Sequence, residues 1–383
     1  MTIVPDSLPA AANVSRAART VGDRDGGWVI GFHPVARMNP YQALLYSRAH
    51  ASGFAPVGLV RRSDFGALKV ASAMGARAIL HLHWTSEVLA ESIDEEDASK
   101  RVTEFIQELH DLRSEGVYVV WSVHNVLPHR CPYPSVEARL RAELAELVDV
   151  VHVMAGDTIV ETSAHYSLPE EKVIEVPHPS YVGAYPNFME RPLARFELGY
   201  EPSDLVVGMV GSIQPYKGLS EFALAVEHEM QRNPDLRALV AGIPGRDEAS
   251  RHLITELQRA NHIDLLPRRL DDTEIATVVS ALDAAVLPYR ASLNSGAALL
   301  ALSFGVPIVA PITGSFRHFL DQGLGVGYEP GSSDGLRQAL GSVRGFLEGF
   351  RPEKALEVAS SLTGPIVSKR FFSALREQIT RDR

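Results

Sequence analysis

The stretch from Leu282 to Phe316, LDAAVLPYRASLNSGAALLALSFGVPIVAPITGSF, constrains the fold of this chain more than any other. Ala284 to Pro288 is a short apolar run closed by proline, the pattern of a strand buried in a parallel sheet. A polar loop follows, Tyr289 to Ser295. Gly296 then opens an Ala/Leu-rich helix to Phe304, and Gly305 with Pro307 stops it before a second buried strand, Val306 to Ala310. In such a strand, loop, helix, strand unit the loop lies at the carboxyl end of the strand. Backbone N–H groups at the helix start can hold an anion there, and small residues let it approach. Asn294, Ser295 and Gly296 are therefore candidates for phosphate contact. The alternative is that Ser-Gly merely starts a buried helix.

The same alternation extends in both directions. Strands are expected at Trp28 to Gly31, Pro56 to Val60, Ala78 to Leu82, Gly116 to Val123, Val148 to Met154 and Val173 to Val176, then at Leu205 to Val210, Leu236 to Ala241 and Ile263 to Leu266. Asn39 as a cap and Pro40 in the first turn start a helix from Tyr41 to Ala51. At 383 residues there is length for two cores. The expected class is α/β, with two Rossmann-like, doubly wound domains facing across a cleft. Residues 27–180 form the first domain, 181–200 a linker that shows no clean period, 201–355 the second, and 356–383 a final helix that crosses back. Residues 1–26 are expected as a flexible tail, and Gly323 to Gly327 as a glycine-rich turn.

Charge and cysteine narrow the function. Lys and Arg number 37 against 47 Asp and Glu, a net charge of −10, which argues against a nucleic-acid partner. The single cysteine, Cys131, excludes an intrachain disulfide and suits a cytoplasmic setting. No run of about twenty apolar residues encodes a membrane span.

His81 and His83 alternate on one strand and so face one way, but no third metal ligand is evident nearby, and no metal site is expected. His124 and Asn125 end the most strand-like run of the first half, where an α/β fold places chemistry. A satisfied core histidine is the alternative for His124. In the second half, the strand to Val210 runs into Gly211-Ser212-Ile213-Gln214-Pro215-Tyr216-Lys217-Gly218. Lysine is a compact charge that can sit against a diphosphate, and the glycines admit its backbone. A surface lysine at a helix start is the alternative, although it would oppose the helix dipole.

This loop is similar to the Gly-Arg-x-x-x-x-Lys-Gly loop of the GT-B glycosyltransferases. The opening stretch resembles the donor-binding segment of their family-4-like branch, the group 1 glycosyl transferases. The resemblance covers nearly the whole chain from Trp28 on. It departs in three places: Ser212 stands for the arginine, and Ser292 and Leu300 stand for two glutamates eight residues apart. It implies an enzyme that moves a hexose from a GDP- or UDP-sugar to a glycan or lipid-linked acceptor, without metal or other cofactor, in bacterial exopolysaccharide or glycolipid synthesis. Donor-binding residues would be Gly211, Ser212, Gln214, Lys217, Gly242, Arg268, Asn294, Ser295 and Gly296. His124 and Lys217 would be catalytic, and His33, Arg37, Asn39, His83 and Asn125 would line the acceptor side or the cleft. A lipid-linked acceptor implies peripheral contact at the inner face of the membrane. The missing carboxylates leave two other readings open, a non-catalytic nucleotide-sugar-binding scaffold and a nucleotide-sugar epimerase.

Overall fold

A computed structural model describes residues 9–21, 27–290, 292–332 and 334–381. The chain divides into two compact units. One runs to Pro179 and takes back the residues from Gly364 onward; the other is Ser180–Thr363. The unit boundaries fall at Pro179/Ser180, where the sequence ended the first domain at residue 180, and at Thr363/Gly364, where it began the final helix at residue 356; the stretch 181–200 belongs to the second unit.

Each unit holds one parallel sheet, six-stranded among the described residues. The first contains β1 (Trp28–His33), β2 (Phe54–Gly58), β3 (Arg77–Leu82), β4 (Val117–Ser122), β5 (Val150–Val153) and β6 (Val173–Glu175), in the order β2-β1-β3-β4-β5-β6. The second contains β7 (Leu205–Val210), β8 (Leu236–Ala241), β9 (Ile263–Leu266), β10 (Ala284–Val286), β11 (Ile308–Pro311) and β12 (Gly325–Tyr328), in the order β12-β11-β10-β7-β8-β9. The central strands are near-continuous aliphatic runs because helices cover both faces. Strand order reverses between β1 and β3 in the first sheet and between β7 and β10 in the second. At such switch points loops diverge from the carboxyl ends of the strands and leave a crevice for ligands.

In the first sheet, register and pleat decide which side chains share a face. Phe32 pairs with His81, His81 with Val120, Val120 with Val150 and Ser122 with His152. Alternation then puts Phe32, His81, Ser122 and His152 on one face. The helix Gly364–Arg381 covers that face: the Phe371 ring stacks on His81 at 5.3 Å, and Phe372 lies 4.6 Å from Phe54. Both phenylalanines are fully buried, each worth about 2 kcal/mol by area. Helix residue Ser368 accepts the Arg48 N–H at 2.9 Å, and Gln378 donates to Glu171 O at 2.6 Å.

Four expectations need correction. Residues 10–21, placed in a flexible tail, form the helix Ala10–Val21, whose Val14, Ala18 and Val21 recur at helical spacing and are buried; the rest of that tail, residues 1–8 and 22–26, lies outside the described residues. The helix from Tyr41 ends at Leu45, because the Ser47 hydroxyl takes the Leu44 carbonyl at 2.8 Å and the backbone tightens to a three-residue bond there. The segment read as a linker contains the helix Arg191–Leu198, begun by Pro192 and ended by Gly199. Its Arg195 pairs with the buried Asp283 carboxylate, which also accepts the Val206 N–H at 2.8 Å. Finally, the glycine-rich turn at 323–327 is largely β12, held by pairing with β11, although its glycines lower strand propensity.

Candidate functional site

Beside the switch point of the second sheet, the loops after β7, β8 and β9 meet through backbone alone. Gly211 N–H donates to Ala241 O at 2.9 Å, Gly242 N–H to Leu266 O at 3.0 Å, and Ile213 N–H to Ile243 O at 2.8 Å. Two glycines make this possible. Gly242 has φ +144°, and a Cβ there would lie 1.8 Å from Gly211 O; Gly218 has φ +67°, and a Cβ would lie 2.0 Å from Pro288 O. The tight turn at Gly218 folds Lys217 inward, so that the residue is 6% exposed and its ammonium sits above Gly211. Nζ lies 5.2 Å from the centre of the Tyr289 ring. Among the described residues no carboxylate or carbonyl pairs with it. Burial lowers its pKa from the usual 10.5 to about 8, so at neutral pH it is a desolvated cation with no anion beside it among the described residues.

The other donor-side candidates surround that lysine unequally. The Ser212 hydroxyl shares a hydrogen bond with the Tyr216 phenol, and Gln214 begins the short turn Pro215–Lys217, where its carbonyl accepts the Lys217 N–H at 3.1 Å. Ser295 is buried and caps the helix Gly296–Leu302 by accepting the Ala298 N–H at 3.1 Å, so its oxygen serves the helix. The Asn294 carbonyl accepts from the Ser292 hydroxyl at 3.0 Å. Arg268 is exposed, and its guanidinium forks onto Glu274 at 3.0 and 2.6 Å; that pairing engages the side chain, while its N–H returns to Leu266 O. As a donor-binding side chain Arg268 is therefore a poor candidate, whereas its backbone position stays available.

The first unit gathers histidines. On the face under the helix Gly364–Arg381, the Tyr46 phenol bridges His81 Nδ1 at 2.7 Å and His83 Nε2 at 2.8 Å. The Ser122 hydroxyl bridges His81 Nε2 at 2.8 Å and His152 Nδ1 at 2.7 Å, and His152 Nε2 meets Val176 O at 2.9 Å. At the other end His83 Nδ1 lies 3.2 Å from His124 Nε2. The His124 ring stacks on Trp84 at 4.4 Å and takes the edge of Tyr41 at 5.2 Å. Burial, aided by the neighbouring rings, holds His81, His83 and His124 well below the ordinary histidine range and His152 at about 4; burial alone holds His178 at about 4. The pair His81 and His83 is thus bridged by a phenol, and among the described residues no group of three or more His, Cys, Asp or Glu side chains is arranged for a metal ion.

The acceptor-side candidates do not all come together. His83 and His124 touch, and Asn125 follows them, partly exposed. His33 points to the opposite face, edge-on to Phe65, with Nδ1 on Leu59 O at 2.9 Å and Nε2 on the Glu87 carboxylate. It braces the loops after β2 and β3. Asn39 is exposed and accepts the Tyr41 N–H at 2.9 Å, and Arg37 is exposed. Tyr46, Ser122 and His152 were not singled out from sequence. For Ser122 and His152 a signal was present, a polar residue inside an otherwise aliphatic strand; Tyr46 follows the helix Tyr41–Leu45, outside any strand, and carries no such signal.

Residues 204–343, which carry the Lys217 loop, match the family model described as glycosyl transferases group 1. The solved sucrose-phosphate synthase from Thermosynechococcus elongatus aligns with a TM-score of 0.71 at 14% identity, over 93% of this chain and 100% of that one. The fold is GT-B, and residues 204–343 are similar to the group 1 glycosyl transferases. A protein from Anabaena, HepE, solved in complex with UDP and glucose, aligns at a TM-score of 0.67 and 14% identity over 92% of this chain and 100% of that one. Among curated relatives, a D-inositol 3-phosphate glycosyltransferase of Segniliparus rotundus is 29% identical over 183 residues, 46% of this chain and 39% of that protein. A GDP-mannose:glycolipid 4-beta-D-mannosyltransferase of Xanthomonas campestris pv. campestris is 36% identical over 101 residues, 26% of this chain and 28% of that protein. The matched stretch thus spans well under half the length of these curated relatives. Among the described residues of this GT-B chain, no helix is long and apolar enough to cross a membrane.

Proposed function

We propose that this chain transfers a hexose from a GDP- or UDP-sugar to a glycan or lipid-linked acceptor, without a metal ion, in bacterial exopolysaccharide or glycolipid synthesis. The observation that carries the reading is Lys217. A buried ammonium with no anion among the described residues is costly to keep, and a ligand diphosphate would supply the missing charge. In transfer, the acceptor hydroxyl oxygen bonds to the anomeric carbon as the bond from that carbon to the diphosphate oxygen breaks. The electron pair leaves with the diphosphate, and Lys217 offsets the charge that develops there. His124, neutral at pH 7 because burial lowers its pKa, is suited to receive the hydroxyl proton or to hold the donor sugar. GDP-mannose and UDP-glucose are the donors to try first, since the names of the Xanthomonas mannosyltransferase and of a HepE complex contain them.

The loss of the family's arginine and glutamates favours a second reading, a nucleotide-sugar-binding protein without transfer or with epimerase activity. Ser212 is tied to Tyr216, and Leu300 is buried in its helix, so neither replaces the missing charge. Calorimetric titration with UDP, GDP and their sugar conjugates, without and with divalent metal, tests both readings. Metal-independent binding is expected, and Lys217→Ala should weaken it by about 1.5–3 kcal/mol. Equal affinity in that variant would remove Lys217 from the site. Tight binding with no sugar transferred would favour the second reading.

A further inference from the structure

The polar side chains on the covered face of the first sheet form one continuous chain of hydrogen bonds, and its direction is determined by a single atom. Val176 O can only accept, so His152 Nε2 carries the hydrogen of that 2.9 Å bond. Neutral His152 then has a bare Nδ1, so the Ser122 hydroxyl donates to it at 2.7 Å. Having spent its hydrogen, Ser122 accepts from His81 Nε2 at 2.8 Å. His81 Nδ1 is therefore an acceptor, and the Tyr46 phenol donates to it at 2.7 Å. The phenol oxygen in turn accepts from His83 Nε2 at 2.8 Å, which leaves His83 Nδ1 to accept from His124 Nε2 at 3.2 Å. Every ring in the series is the Nε2–H tautomer.

We propose that His152, Ser122, His81, Tyr46 and His83 are positioning residues that hold His124 in its Nε2–H tautomer and aim Nδ1 as its proton-accepting nitrogen. The assignment of a purpose to this rests on the reading of His124 as a residue of the transfer site; the tautomer itself does not. The chain does three things for that ring. It removes the tautomer equilibrium, which would otherwise hold a fraction of molecules with a hydrogen on the nitrogen that must accept. It orients the ring, together with Trp84 stacked on one side and Tyr41 at its edge. It also presents the His83 lone pair to Nε2–H, which favours positive charge on His124 when Nδ1 takes a proton. The low proton affinity of the buried rings keeps the series neutral at pH 7, as the alternating pattern requires. A protonated His81 would donate on both sides and reverse the tautomers of His83 and His124.

Long-range proton–nitrogen correlation spectra of the full chain with nitrogen-15-labelled histidine, at pH 7, report the tautomer of each ring. His81, His83, His124 and His152 should each show a single Nε2–H form. Ser122→Ala should leave His152 unchanged, because Val176 still accepts from it, while His81, His83 and His124 become mixtures. Tyr46→Phe should preserve His81 and His152 and release only His83 and His124. An Nδ1–H or averaged His124 in the unaltered protein would overturn the proposal, as would a His124 that stays fixed in both variants. Turnover separates this from the functional reading. With the nucleotide sugar that binds in calorimetry, Tyr46→Phe should lower kcat by roughly tenfold or more with KM unchanged. A fixed His124 tautomer together with full turnover by His124→Ala would overturn the catalytic role and leave the tautomer standing.

Discussion

In the first sheet the buried His81, His83, Ser122 and His152 all find partners within their own unit, whereas in the second the buried Lys217 finds none among the described residues. Both sets lie near the carboxyl ends of strands in doubly wound sheets. The difference is chemical: imidazole and hydroxyl groups can both donate and accept, so a row of them can close on itself, while an ammonium only donates. A row that closes orients whatever lies at its end. A cation that does not close selects for an anion. The same architecture thus presents a preset ring in one unit and an unmet charge in the other.

Acid should separate the two units most. Burial lowers the proton affinity of His152 and His178 to about pH 4, and of His81, His83 and His124 in the same direction. Between pH 6.5 and 4 the unfolded chain binds protons that the folded unit refuses, so stability falls as pH falls. His152 alone accounts for about 3 kcal/mol of this. Peptide-resolved hydrogen exchange, corrected for its intrinsic pH dependence, should show β3 to β5 losing protection before β7 to β10. Equal loss in both sheets would break the comparison.

Next in size is Gly242→Ala, which puts a Cβ into Gly211 O at a φ that L side chains rarely adopt, and should cost about 3 kcal/mol in urea unfolding. A cost near zero would mean that this turn relaxes and that glycine is not what brings the loops together. Lys217→Met should act in the opposite sense. The lowered lysine pKa corresponds to about 3 kcal/mol against the buried cation, and the Tyr289 face returns about 1 kcal/mol, so desolvation wins. The variant should therefore be the more stable at pH 7 by about 1–2 kcal/mol while losing nucleotide affinity. Its advantage should shrink as pH rises from 8 to 10.5, where the unfolded chain still holds the proton that the folded lysine has released. A variant less stable than the parent would show that Lys217 has a partner. The smallest effect is expected from Arg268→Ala. Its side chain is already engaged by Glu274, so nucleotide affinity should stay within about twofold; a larger loss would return Arg268 to the donor site.

Much of this was determined by local sequence. The aliphatic runs of β7, β8 and β9 had their ends legible to the residue, because a buried parallel strand is a hydrophobic run cut off by glycine or a polar loop. The Gly211 to Gly218 loop and the position of His124 after β4 were legible for the same reason. Tertiary structure decided the rest. Gly325–Tyr328 is a strand only because β11 offers it a ladder, and Ala10–Val21 is an ordered helix because Val14, Ala18 and Val21 are buried. His33 and His83 look alike in sequence, yet the pleat sends their rings to opposite faces. The link from Val176 to His124 runs through residues up to 130 positions apart. No periodicity along the chain encodes it, since hydrogen-bond partners across a parallel sheet are set by strand order and register.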